Sequence, residues 1–117
     1  MRIVCSQLKL AALAGCLFLG DGAALAADAE KGKASYVKYG CYQCHGYAGQ
    51  GSPITGPKLA PDPMPYEALA AFVRTTNRAM PPYKEAVLPN EDLQDIYAYL
   101  QSIPPTADWK TIPLLNQ

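Results

Sequence analysis

The stretch Cys41-Tyr42-Gln43-Cys44-His45 constrains this chain more than any other. On a helix, residues three apart share a face, so the two thiols leave one turn in the same direction. An imidazole follows on the next residue. The fold must therefore build a helical turn here and give three reactive side chains a common neighbour. The other two cysteines, Cys5 and Cys16, lie near the start, and His45 is the sole histidine.

The start reads as an export leader. Arg2 and Lys9 precede an apolar run from Leu10 to Leu19, and small residues follow through Ala27. Ala24-Leu25-Ala26 fits the A-x-A rule, which places cleavage after Ala26 or Ala27. The run is too short and too rich in Ala and Gly for a membrane span. A second route stays open, because Leu13-Ala14-Gly15-Cys16 resembles a lipobox whose Cys becomes lipidated. The expected organisation is a cleaved leader over 1–27, one domain over 28–105 and a tail over 106–117. The expected location is the periplasm, with a membrane anchor only if Cys16 is used.

Removing the leader takes away Arg2, Lys9 and Asp21 and leaves eight basic and nine acidic side chains. So even a balance implies no affinity for nucleic acid or for anionic membrane. Cys41 and Cys44 become the only thiols. One pair is no disulfide scaffold, which needs several bridges. A structural zinc needs four ligands, and three Cys and His side chains remain. A redox dithiol of the thioredoxin type needs a βαβ pattern beside it, and the chain shows no strand pattern. Residues 46–56 cradle no phosphate either, since no Gly-Lys-Ser/Thr follows them. What fits is covalent haem: C-x-x-C-H is the attachment sequence of the c-type cofactor, two thiols for two vinyl groups and His45 for the iron. A domain of about 90 residues buries little of its own surface, and a covalent cofactor would supply the missing core.

The remaining periodicity is helical. Residues 28–39 read as a short helix capped by Asp28 and ended by Gly40. Residues 41–46 form the next helical turn. Gly and Pro make residues 46–65 a loop. A helix from Tyr66 to about Asn77 puts Leu69, Phe72 and Val73 on one face. Ala79-Met80-Pro81-Pro82 cannot continue it. Residues 90–103 are the clearest helix, with Asn90 as N-cap, Glu91 and Asp92 at the positive end of the dipole, and a stripe of Leu93, Ile96, Leu100 and Ile103. Pro104-Pro105 stops it. Trp109, Ile112, Leu114 and Leu115 are packing candidates in the tail. The fold class is all-α with long loops, three main helices plus short turns around one cofactor. For a sixth iron ligand there are two methionines beyond the leader, Met64 and Met80. The stiff stretch around Met80 favours it, because little entropy is lost in holding the thioether.

Four pieces in order, Cys41 to His45, Gly56-Pro57-Lys58-Leu59, Met80-Pro81 and the Asp95 to Leu100 helix, resemble a class I c-type cytochrome over residues 28–103. That resemblance implies a cytochrome c-like fold and one covalent haem c on Cys41 and Cys44, with His45 and Met80 as axial ligands. It implies that the Pro57 carbonyl accepts from His45 Nδ1, that Leu59 and Phe72 pack on the haem, and that Gly32 lets the terminal helices cross with Tyr36 against Ile96 and Tyr99. The interval of 35 residues from His45 to Met80 is short for the class. It is similar to that of cytochrome subunits of periplasmic flavoprotein hydroxylases acting on phenols. The propionate-binding Trp of the class is missing, since Trp109 lies in the tail; Arg74, Arg78, Lys58 or a Tyr remain for that role. The implied role is electron transfer rather than catalysis, with a dehydrogenase as donor and an oxidase or another cytochrome as acceptor. A dedicated subunit of a dehydrogenase or hydroxylase is the alternative. Lys31, Lys33, Lys38 and Lys58 near the motif, with Glu91, Asp92 and Asp95 distant in sequence, suggest a charge dipole with its basic side at the haem edge.

Overall fold

The computed structural model describes residues 26–116. Residues 1–25 of the expected leader, Cys16 among them, lie outside the described residues. Four α-helices follow in order: α1 (Ala29–Lys38), α2 (Tyr42–His45), α3 (Tyr66–Thr75) and α4 (Asn90–Ser102). Among the described residues there is no strand, only an isolated bridge between Ser52 and Gly56. No described helix is long and apolar enough to cross a membrane.

Local chemistry sets the helix ends. The Asp28 carboxylate accepts from the Glu30 and Lys31 amides and caps α1, as its sequence position implied. Gly40 then takes a φ of +76°, which turns the chain into the cysteine motif. Helix α3 stops at Thr75, two residues before the expected end, because Thr76 is extended. Helix α4 corrects one expectation. Its N-cap is Pro89, whose carbonyl accepts from Leu93 N at 3.1 Å. Asn90 makes no capping bond. Its amide oxygen accepts from Arg74 at 2.8 Å and its nitrogen donates to Glu85 at 2.7 Å.

The fold is organised by the crossing of α1 and α4. A Cβ built on Gly32 would overlap the Asp95 carbonyl group and stand 2.9 Å from Ile96 N. The helices therefore meet backbone to backbone, which only glycine permits. Polar bonds pin the crossing on both sides. Asp28 N donates to Asp95 Oδ1 at 2.7 Å, and the Tyr39 hydroxyl donates to Asp92. Tyr36 is fully buried beneath it, its ring 5.5 Å from that of Tyr99. Leu69, Val73, Leu88, Leu93, Ile96 and Leu100 complete the core.

Residues 46–65 lack periodicity yet are well tied. Gly51 N donates to His45 O at 2.8 Å, and the Leu59 and Ala60 amides both donate to Gly49 O. The tail forms two 3-10 turns, Trp109–Thr111 and Pro113–Leu115. Trp109, Leu114 and Leu115 are all more than half exposed, so they do not serve as packing points on the body of the protein.

Candidate functional site

One cavity of about 440 Å³ opens between α1, α2, α3, α4 and the loops that join them. Cys41, Cys44, His45, Pro57, Leu59, Phe72 and Met80 all line it. So does Met64. The residues singled out in sequence thus line one cavity, although they span forty positions of the chain.

The motif turn is held from three sides. His45 N donates to Cys41 O at 3.0 Å and Gly46 N donates to Tyr42 O at 2.9 Å, closing the turn. The Tyr36 hydroxyl donates to Gly46 O at 2.9 Å. The Thr55 hydroxyl donates to Cys44 O at 2.8 Å. Neither Tyr36 nor Thr55 carried a sequence signal for this task, because a hydroxyl-to-carbonyl bond across the fold leaves no spacing to read. The imidazole is buried and its Nδ1 lies 2.8 Å from Pro57 O. A carbonyl can only accept, so Nδ1 carries the proton and Nε2 is left with a free lone pair. Gly56 packs against the ring so closely that a Cβ there would stand 3.1 Å from its atoms. That is the physical reason for glycine before Pro57.

Cys41 and Cys44 are free thiols on the cavity wall. Burial pushes the Cys41 thiol up to about 11. Among the described residues no group of three or more Cys, His, Asp or Glu side chains converges as a metal cage.

Met80 is half-buried against the core, whereas Met64 is 48% exposed. The segment after Met80 is anchored twice to α3: Tyr83 N donates to Val73 O at 2.9 Å, and Arg74 donates to Tyr83 O at 2.8 Å. The Tyr83 hydroxyl also donates to Tyr39 O at 2.9 Å. Burial pushes the Tyr83 phenol up, with the two cysteines adding to the shift. Met80 is therefore the better-fixed thioether of the two.

The wall fits a flat apolar macrocycle. Leu69, Val73, Leu88, Leu93, Ile96 and Leu100 belong to both the core and the cavity lining, so the cavity reaches the centre of the protein. The thiols, the single free imidazole nitrogen and this volume together match a covalently tethered haem.

Packing of α4 on α1 brings Asp92 to 3.5 Å from Lys38, and Lys31 lies 3.9 Å from Asp28, the cap of its own helix. Two of the four lysines near the motif are therefore paired with acids.

A family model described as cytochrome C oxidase, cbb3-type, subunit III matches residues 27–100, well over half of the chain. No curated protein and no solved structure matches it.

Proposed function

Because this chain belongs to the c-type cytochrome family described as cytochrome C oxidase, cbb3-type, subunit III, we propose that its cavity holds one covalent haem with His45 and Met80 as axial ligands. The family itself makes the role haem-based electron transfer, with redox proteins as partners. The observation that carries the finer reading is that both motif thiols, His45 and Met80 line a single apolar cavity.

Cys41 and Cys44 would tether the cofactor through two thioethers. When bound, the haem supplies an iron that exchanges one electron between Fe(II) and Fe(III). Pro57 O holds the His45 proton on Nδ1 and so presents Nε2, raising its basicity. The anchors at Tyr83 keep Met80 in place in either oxidation state. Leu59 and Phe72 form part of the apolar wall, which keeps water out and leaves few dipoles to reorient when charge changes.

The export leader supports a periplasmic location, with lipidation at Cys16 as the route to an anchored form. The compact interval of 35 residues between His45 and Met80 supports a small class I cytochrome resembling the subunits of flavoprotein hydroxylases. The donor is then a dehydrogenase, and the acceptor an oxidase or another cytochrome. One observation favours a dedicated subunit: Trp109, Leu114 and Leu115 form an exposed apolar tail. Truncation before Thr106 tests it. A free carrier keeps its electron-transfer rates with small redox proteins, while a subunit loses its cognate oxidoreductase. Reversible one-electron cycling of the haem-loaded protein, with no CO binding by the reduced form, tests the carrier role. Fast CO binding would point to an open iron and a sensor or peroxidase.

A further inference from the structure

The cavity is apolar apart from a few side chains, and their hydrogen bonds separate them into two sets. A haem brings two carboxylates, which when ionised accept hydrogen bonds but cannot donate them. A partner for them must offer an N–H or O–H that no other group has taken. Three hydroxyls on the wall fail that condition. Tyr36 donates to Gly46 O, Thr55 to Cys44 O and Tyr83 to Tyr39 O. Arg74 is not on the wall and is engaged by Tyr83 O and Asn90.

Two cations on the wall remain. Arg78 and Lys58 both line the cavity, both are exposed, and neither pairs with an acid among the described residues. The third charged wall residue, Asp62, would repel a carboxylate.

We infer that Arg78 and Lys58 are the cationic partners of the haem carboxylates, with Arg78 the principal one. The inference rests on the haem reading above and adds the specificity of the carboxylate end. A guanidinium matches a carboxylate with two parallel N–H donors, whereas an ammonium acts as a point charge. Each cation also disfavours the extra positive charge of the ferric state. Arg78 and Lys58 thus raise the midpoint potential in addition to orienting the cofactor.

The test uses the full haem-loaded protein in wild-type, R78Q, R78K, K58Q and R78Q/K58Q forms, with K33Q as a surface-charge control. Absorption spectra first establish covalent haem in the wild type; without it the haem reading fails, and this inference with it. Midpoint potentials are then measured by spectroelectrochemistry at low ionic strength. R78Q should raise the Fe(III)/Fe(II) ratio at fixed applied potential by about two- to seventeenfold, the range for a unit charge taken at about 10 Å with an effective dielectric of 20–80. K58Q should move it less, the double variant most, and R78K should restore most of the wild-type value. If R78Q retains no haem, K58Q and R78K still decide: a K58Q shift larger than that of K33Q, with R78K near wild type, is the expected result. Shifts in R78Q and K58Q no larger than in K33Q overturn the assignment, as does an R78K value no closer to wild type than R78Q.

Discussion

Replacing Gly32 with Ala separates two opposing effects of known size. Alanine is the better helix former by about 1 kcal/mol, so local propensity alone expects a more stable α1. The crossing expects the reverse. The added methyl would overlap the Asp95 carbonyl and crowd Ile96 N, and these are backbone atoms that no rotamer change can move aside. Helices α1 and α4 must part. Overpacking of this kind costs about 1–3 kcal/mol. Parting also stretches the bond from Asp28 N to Asp95 and that from Tyr39 to Asp92, each with an ionised acceptor and each contributing about 1.5–3 kcal/mol. With the propensity gain subtracted, the net loss is about 3 kcal/mol or more. For a domain of this size that lowers Tm by roughly 12–24 °C. Guanidinium titration of the haem-loaded protein, followed by far-ultraviolet circular dichroism and by the haem absorption, measures it directly. An Ala34→Gly change on the exposed side of α1 should cost only about 1 kcal/mol. A Gly32→Ala variant within 1 kcal/mol of wild type, or more stable, would refute the close-crossing argument.

Further outcomes follow from the same structure. A Cys41→Ser, Cys44→Ser double variant produced without haem should show no cooperative thermal transition, because the cavity reaches the core and nothing else fills it; a sharp calorimetric peak would contradict this. Stability of the haem-loaded protein should fall as pH rises above about 10, since burial, helped by Tyr99, pushes the Tyr36 phenol well above its ordinary value and the unfolded chain ionises first. Tyr36→Phe should be less stable at pH 7, having lost the bond to Gly46 O, but should show a flatter decline above pH 10 in urea titrations; an unchanged slope would assign the alkaline loss elsewhere. A Gly56→Val change should displace the His45 ring and lower haem retention after maturation, whereas Ile54→Val, at a position 94% exposed, should leave it unchanged.

Much of this architecture was legible in the sequence for identifiable reasons. Helix α1 announced itself by an N-cap and a terminal glycine, and α4 by an apolar stripe. Both signals are local, and the structure follows them to within a residue or two. The gathering of the motif, Pro57, Leu59 and Met80 around one cavity followed from four short pieces in a familiar order. What the sequence hid depended on partners distant in the chain. Asn90 looked like a cap, but Arg74 and Glu85 compete for its amide, and Pro89 begins the helix instead. Lys38 looked like part of a basic face until α4 brought Asp92 beside it. Arg74, Arg78, Lys58 and the tyrosines could not be told apart until the fold gave Arg74, Tyr36 and Tyr83 acceptors of their own. The tail residues are as apolar as core residues, yet packing, not composition, leaves them exposed.

The central claim is that this cavity holds a covalent haem between His45 and Met80. The most direct measurement is the far-red absorption of the oxidised, haem-loaded protein, where a thioether on Fe(III) gives a weak charge-transfer band. The expected result is a band present in the wild type and in Met64→Ala and absent in Met80→Ala. A band that persists in Met80→Ala, or one lost in Met64→Ala alone, would contradict the claim.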